Sequence, residues 1–254
     1  HFAGLWGKTH LRIAAFMPGG WPPPVLTFAR RQTGCFLFTG RIAFEKSSTG
    51  GEGETVVYVL LLAFLVFWRF LLPDDSERTR RLYAITAFLL LAFFGAMRAV
   101  CVGRDTASFV EVFEKIAGRG FVDTWLFSSW TEPGFRFLCA FLGLFTRNGQ
   151  WLIVLTSVFI NFSFSRFIYR YVKNIYLGFF LYITLMLYPF YFSMMRQGLA
   201  VSVFLFAYGF LRKRQYVRYE LLVLLAASFH TSALLFAVFP LFSLIRLNRR
   251  RLLY

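Results

Sequence analysis

Three side chains that can accept or donate a proton lie within or beside strongly apolar stretches of the sequence. They are Asp105 in VGRDTASF, Glu132 directly before Pro133, and His230 in ASFHTSA. Each is a candidate general base, and histidine titrates near neutral pH. Each also has a structural interpretation. Asp105 and Glu132 suit the start of a helix, where a carboxylate meets the positive end of the helix dipole, and a buried histidine is often paired only with a backbone carbonyl.

Three further polar side chains are candidates for binding an anion or a sugar. Arg196 and Gln197 are neighbours in FSMMRQGLAVS, and Arg98 lies near the end of an apolar run. The planar guanidinium of Arg196 fits phosphate oxygens, and the amide of Gln197 offers the donor and the acceptor that a sugar hydroxyl needs. The structural interpretations are that Arg196 reaches lipid headgroups and that Gln197 joins two helices. Arg98 can reach headgroups, pair with Asp105 or bind an anion.

Acids, a histidine and arginines around one membrane cavity would suit transfer chemistry on an anionic, lipid-linked substrate. One histidine and two acids could ligate a hard cation, whereas a site built on arginine needs none, so metal dependence stays open. We assign no metal ligand and no cofactor. The three cysteines, Cys35, Cys101 and Cys139, form no CxxC pair and indicate neither a disulfide framework nor a thiolate metal site.

The elements that must position these residues are membrane helices, because the composition lies outside the soluble range. Of 254 residues, 58% are hydrophobic, 21% aromatic and only 16% charged. The net charge of +16 comes from Lys and Arg clustered in short tracts between apolar runs, which is typical of topology signals and not of nucleic-acid binding. We therefore predict an all-α, polytopic transmembrane helix bundle with no nucleic-acid partner.

Several apolar runs are long enough to cross the hydrocarbon core as a helix of about 20 residues. The candidate spans are Thr55–Leu72, Leu82–Val100, Trp151–Tyr169 and Ile175–Met194, with Gly198–Leu211 as a shorter fifth. Three other runs are short, namely Gly134–Phe145, Tyr219–Phe229 and Thr231–Ile245. Gly134–Phe145 predicts a re-entrant or interfacial helix on the external side of the membrane. Tyr219–Phe229 and Thr231–Ile245 predict a shallow out-and-back hairpin of short half-helices that reaches the external side.

The basic tracts predict the orientation, since short cytoplasmic loops collect Lys and Arg. Four tracts, which we place inside, are Arg78 with Arg80 and Arg81, Arg166 with Arg170 and Lys173, Arg212 to Arg214 with Arg218, and Arg246 with Arg249 to Arg251. Counting crossings between them puts the predicted site residues on the external side. The stretch TASFVEVFEKIAG in the external loop has helical periodicity and predicts a short surface helix.

The chain divides into two parts by composition. Residues 1–54 contain GGWPPP and SSTGGEGE and have no helical periodicity, so we predict a poorly structured or atypical N-terminal segment. Residues 55–254 form the predicted multi-pass membrane domain. Because the sequence stops soon after an apolar run, we expect further membrane segments to be missing at its C-terminal end.

An ordered set of short motifs resembles a known family. These motifs are VGRDTASF (102–109), EPGFRFL (132–138), MRQGLAVSVF (195–204), LRKRQYVRY (211–219) and LAASFHTSALL (225–235). In this order and spacing they resemble the EpsG family of bacterial exopolysaccharide proteins, relatives of the Wzy-type O-antigen polymerases. The resemblance covers roughly Val56 to Ile245.

The resemblance implies a multi-pass glycosyltransferase of the bacterial inner membrane that joins undecaprenyl-pyrophosphate-linked oligosaccharide repeat units on the external face. Its partners would be that lipid-linked oligosaccharide, membrane lipids and other polysaccharide-assembly proteins. Arg196 and Arg98 would stabilise the leaving diphosphate, and Asp105, Glu132 or His230 would act as the base. The alternatives are a flippase for the same lipid-linked sugars and a non-catalytic scaffold of a polysaccharide-assembly complex.

Overall fold

The computed structural model describes residues 35–36, 43–44, 50–72, 75–119 and 131–244. The chain divides into two compact units, His1–Thr33 and Gly34–Tyr254, and all of the described residues belong to the second unit. Most of the predicted N-terminal segment 1–54 therefore lies outside the described residues, and its character stays a prediction. The fourth basic tract, from Arg246 to Arg251, also lies outside them.

The described part of the chain is helical apart from one short antiparallel ladder. Strands β1 (Cys35–Phe36) and β2 (Ala43–Phe44) pair in this ladder. The helices are α1 (Gly50–Leu71), α2 (Glu77–Ala96), α3 (Thr106–Ala117), α4 (Pro133–Gly143), α5 (Gln150–Tyr171), α6 (Ile175–Thr184), α7 (Leu187–Ser193), α8 (Met195–Arg212), α9 (Tyr216–Phe229), a 3-10 helix (Thr231–Val238) and α10 (Phe239–Leu244).

Two of the described helices, α2 and α5, are long and apolar enough to cross a membrane by themselves. The pair α6 and α7 passes the same test when taken together, although it is bent by 45°. The run that predicts a single span over Ile175–Met194 is thus divided into two helices. The short runs form the 11-residue helix α4, the 14-residue helix α9 and the 3-10 helix followed by α10, and their placement relative to the membrane stays a prediction.

The division between α6 and α7 has a local cause in the sequence. Pro189 has no backbone N–H, and in a continuous helix its ring would meet the carbonyl of Leu185 four residues earlier. The helix instead ends at Thr184, with Leu185 as its C-cap, and Met186 takes a left-handed conformation with φ 60°. A non-glycine residue rarely adopts such a φ, so the break is specified by the chain around it.

The largest buried cluster joins most of the helices into one core. Side chains without exposed surface come from helices distant in sequence, among them Phe113, Phe135, Leu152, Phe179 and Met195. Two smaller clusters join α8 to α9 and to the 3-10 helix, around Ala226 and Val223. This packing brings the beginning of α8 and the end of α9 into the same region as α4.

Large apolar side chains also cover the outside of the helices. On α1, outward-facing residues include Leu60, Phe67 and Phe70, and comparable residues are exposed on α2, α5 and α9. A continuous apolar exterior of this kind marks contact with lipid. Together with the apolar spans, it makes the chain a helical membrane protein.

Candidate functional site

Glu132 stands at the point where α4 begins. Pro133 occupies the first position of that helix, where its missing N–H costs nothing, and Glu132 is the N-cap with extended backbone. Gly134, the second residue of α4, packs directly on the end of α9. A Cβ at Gly134 would lie 2.3 Å from Ser228 Oγ and 2.8 Å from the Ser228 carbonyl oxygen. The absence of a side chain at Gly134 therefore allows the Glu132 turn to reach α9.

Arg196 is the second residue of α8, and its guanidinium pairs with Glu132. Nη1 of Arg196 donates to Oε2 of Glu132 in a short ion pair. On its other side the guanidinium lies 5.5 Å from the centre of the Phe109 ring of α3, a favourable arrangement of a cation and an aromatic face. The Arg196 side chain keeps 28% of its surface exposed, so it reaches both the carboxylate and the solvent-accessible outside of the fold.

His230 completes the cluster from a third chain segment. It caps the end of α9 with an extended backbone and precedes the 3-10 helix. Its Nδ1 lies 3.1 Å from Oε1 of Glu132, so each oxygen of that carboxylate has a different partner. Three breaks between helices thus bring together Glu132, Arg196 and His230, which the sequence predicts as site residues on one side of the membrane.

The electrostatics of the cluster favour an ionised Glu132, which lies outside the helices that can span the membrane. Burial raises the pKa of the Glu132 carboxyl, but a backbone hydrogen bond, the His230 side chain and the Arg196 guanidinium outweigh burial and hold the pKa below its ordinary value. The N-terminus of α4 adds positive potential at the same point. In this arrangement the carboxylate is a well-stabilised anion and a weakened base.

Arg98 follows the end of α2 and lies in a different environment, in a cavity lined by residues of α5, α6 and α7. Its side chain is 6% exposed, and Nη1 donates to the carbonyl of Gly95 at 3.0 Å and to Ser157 Oγ at 2.7 Å. The guanidinium also lies 4.3 Å from the centre of the Phe192 ring. Within the described part of the chain Arg98 makes no hydrogen bond or ion pair with Glu132, Arg196, His230 or Asp105. The cavity is lined mainly by polar and tyrosine side chains, including Thr156, Asn161, Tyr182 and Tyr188.

Asp105 and Gln197 are close in sequence to parts of the site, but neither joins the cluster. Asp105 occupies the N-cap position of α3 without a capping hydrogen bond from its side chain, and no ion pair of Asp105 occurs among the described residues. Gln197 is half-buried beside Arg196. Their predicted roles in catalysis and substrate binding stay predictions.

The VGRDT motif has a structural role that the sequence did not predict. The Thr106 hydroxyl donates to the Phe192 carbonyl at 2.9 Å, and the Arg104 backbone N–H donates to Ser193 Oγ at 3.0 Å. Gly103 has φ +92°, and a Cβ there would lie 2.8 Å from the Phe192 oxygen. The motif is thus attached to the end of α7, directly before the turn that begins α8 and presents Arg196.

Two residues that contact the predicted arginines were not themselves predicted. Phe109, under the guanidinium of Arg196, belongs to VGRDTASF but reads in sequence only as one apolar position of a helix. Ser157 contacts Arg98 from a helix 59 residues away in sequence, and no local pattern indicates that contact. Among the described residues no group of three or more His, Cys, Asp and Glu could hold a metal ion.

The fold and the cluster define a helical membrane protein with a polar site where several helix ends meet. Residues 81–254 match the EpsG family, and this match covers more than half of the chain and contains Arg98, Glu132, Arg196 and His230. The chain belongs to the EpsG family, as its motifs predict. No curated protein and no solved structure matches it.

Proposed function

We propose that the chain is a membrane glycosyltransferase that polymerises undecaprenyl-pyrophosphate-linked oligosaccharide repeat units for exopolysaccharide or O-antigen. The reaction takes place on the external face of the bacterial inner membrane. The observation that carries the proposal is the Glu132 carboxylate with one oxygen on Arg196 and the other on His230. Membership of a family of exopolysaccharide proteins supports the choice of a lipid-linked sugar as substrate.

The proposed reaction needs a base for the acceptor and a cation for the leaving group. The acceptor sugar hydroxyl loses its proton to a base, and its oxygen forms a bond to the anomeric carbon of the growing glycan. The bond between that carbon and the lipid diphosphate breaks, and its electron pair stays on the diphosphate, which Arg196 stabilises. Glu132 and His230 are the candidate bases in the cluster with Arg196, and their contact lets one orient the other.

The basic tracts support the proposed external location. Arg80 Nη2 contacts the Lys173 carbonyl at 3.5 Å, and Arg170 and Arg212 both lie over the ring of Tyr171, at 5.9 and 5.2 Å. Three tracts therefore meet at one end of the bundle, which we assign to the cytoplasm. Arg196 lies at the opposite end of α8 from Arg212, roughly 24 Å away along the helix axis.

The remaining predicted elements fit this placement. We propose a multi-pass arrangement in which α1, α2, α5, the bent pair α6 and α7, and α8 cross the membrane. The short helix α4 then forms a half-length element on the external side. Helix α9 runs back from the cytoplasmic tract to His230 at the external end, where the 3-10 helix follows it. Arg98 and Gln197 remain candidates for substrate binding, and Asp105 remains a candidate catalytic residue. The proposed partners also include membrane lipids and other polysaccharide-assembly proteins.

The test is complementation of a bacterial strain that lacks its own polymerase. Polymer length is measured by gel for the chain and for its Arg196→Ala and His230→Ala forms at equal membrane abundance. We expect both variants to lose long chains while single repeat units still reach the outside. Glu111→Gln is the control, because Glu111 is exposed on α3 and, among the described residues, its ion pair is with Lys115.

Two outcomes contradict the proposal in different ways. Long chains that persist in both variants would remove Arg196 and His230 from the site and favour a scaffold. Loss of exported repeat units, and not only of long chains, would indicate a flippase.

A further inference from the structure

We infer that Glu132 is the base of the proposed reaction and that Arg196 keeps it from accepting a proton until a diphosphate binds. In the free protein Arg196 pairs with Glu132. The diphosphate of the substrate then takes the place of Glu132 on Arg196 and frees one carboxylate oxygen. The inference rests on the proposed function, because it assigns the order of events at that same site.

The state of Glu132 in the structure is the first reason. One oxygen pairs with the Arg196 guanidinium and the other lies on His230 Nδ1. A carboxylate with a cation on one oxygen is stabilised as an anion, and its ability to take a proton is lowered. An acceptor hydroxyl approaching this carboxylate meets a poor base. Glu132 becomes a stronger base once the Arg196 guanidinium leaves it.

Arg196 is the partner that can leave. A guanidinium has five N–H donors, and among the described residues Glu132 engages Nη1 of Arg196 alone. The side chain is 28% exposed, so a ligand can reach it from outside. A diphosphate carries more negative charge than a carboxylate and matches the guanidinium fork with two oxygens. The Phe109 ring, 5.5 Å away, supports the guanidinium during this exchange.

His230 is the partner that stays. It directly follows α9, whose last turn packs against Gly134 through Ser228. Around Glu132, α8 contributes Arg196, the end of α9 contributes His230, and α4 contributes its N-terminus. When the diphosphate neutralises Arg196, only His230 and the helix end remain on Glu132. Its free oxygen then accepts the proton of the acceptor hydroxyl, while the electron pair of the broken bond goes to the diphosphate.

The exchange predicts that removing the negative charge of Glu132 raises the affinity of the protein for a diphosphate. This affinity can be measured without turnover. Geranylgeranyl diphosphate serves as a water-dispersible polyprenyl diphosphate, and its affinity for the purified full chain in detergent is measured by calorimetry at neutral pH. Because Glu132 competes with the ligand for Arg196, Glu132→Gln should bind it more tightly than the unmodified chain, by about tenfold. Arg196→Gln should bind it weakly, and the double variant should show no gain over Arg196→Gln.

Two further variants make the measurement specific. Glu132→Asp keeps the charge but shortens the side chain by one methylene, so its affinity should fall between that of the unmodified chain and that of Glu132→Gln. It also serves if Glu132→Gln does not fold. Glu111→Gln removes the same charge from the exposed Lys115 pair on α3 and should leave the affinity unchanged.

The possible results separate the inference from the proposed function. Equal or weaker binding by Glu132→Gln, with loss of binding in Arg196→Gln, would overturn the exchange and leave Arg196 as the anion site. An equal gain in affinity in Glu111→Gln would mean that the loss of any negative charge strengthens binding, and it would also overturn the exchange. Unchanged binding in Arg196→Gln would remove Arg196 from the site and, with it, the proposed function.

Discussion

Arg196 and Arg98 are two cations in largely apolar surroundings, and the fold provides them with opposite kinds of partner. Arg196 faces a carboxylate and keeps 28% of its side chain exposed. Arg98 is 6% exposed and faces a backbone carbonyl, a hydroxyl and the Phe192 ring. The partner of Arg196 is an anion that another anion can replace. The partners of Arg98 are neutral groups that belong to the helix packing itself.

The difference shows how one residue type serves two purposes in a membrane protein. A charge buried in a membrane protein is expensive unless its donors are satisfied. Arg98 satisfies Nη1 with fixed groups on α2 and α5, which makes it a link between helices. Arg196 satisfies its charge with the Glu132 carboxylate, and its own partly exposed side chain is accessible to a ligand. Exposure and the identity of the partner thus distinguish a candidate binding residue from a candidate packing residue.

The largest expected effect that separates the two arginines is on the transfer rate. Arg196→Gln removes the charge that stabilises the leaving diphosphate, and the rate should fall by about 10²–10³. Arg98→Gln should cause a much smaller loss per folded molecule. The measurement is polymer formation from purified lipid-linked repeat units, normalised to folded protein. Equal losses in the two variants would break the comparison and support Arg98 as a direct substrate contact.

The next largest effect is on the free energy of unfolding, and here Arg98→Gln should cause the larger loss. Arg98→Gln removes hydrogen bonds and ring contact from a buried link, and we expect a loss of about 2 kcal/mol. Arg196→Gln should cost less, because Glu132 keeps His230 and water can reach the site. Thermal unfolding in detergent tests both. Ser157→Ala removes one partner of Arg98 and should destabilise the protein by roughly 1 kcal/mol. A larger loss in Arg196→Gln than in Arg98→Gln would contradict the assignment of Arg98 as the packing residue.

The smallest effect is the pH dependence of stability at the cluster. The pKa of Glu132 is lower in the folded chain than its ordinary value. Its contribution to stability is therefore complete above the unfolded value of about 4.3 and is lost as pH falls through the lower, folded value. The difference in melting temperature between the unmodified chain and Glu132→Gln should shrink as pH falls below that range. A difference that grows on acidification would contradict the sign.

The association of Glu132, Arg196 and His230 could be anticipated from sequence because each lies beside a helix break. Pro133 indicates a helix start, and the polar residues around His230 separate two short apolar runs. Counting crossings between basic tracts then places all three at the same end of the bundle. The contacts themselves could not be derived, since they depend on how closely α4 approaches α9 at Gly134.

Arg98 shows where sequence reasoning ends. An arginine near the end of an apolar run predicts headgroup contact, an ion pair or an anion, and the structure instead gives it a carbonyl, a hydroxyl and a ring. Such partners leave no sequence pattern, because any helix offers carbonyls and Ser157 resembles many other serines in apolar helices. The break at Met186 did have a signal in Pro189, but the apolar run continues through it and periodicity alone favours one helix.

The close approach of Gly134 to Ser228 limits how this protein can diversify. A side chain at position 134 would meet the carbonyl oxygen of Ser228 at 2.8 Å as well as its hydroxyl, so shortening residue 228 would relieve only half of the overlap. Mutant libraries selected for new sugar acceptors should therefore recover glycine at position 134 almost without exception, and variation should accumulate on side chains facing the open side of Arg196.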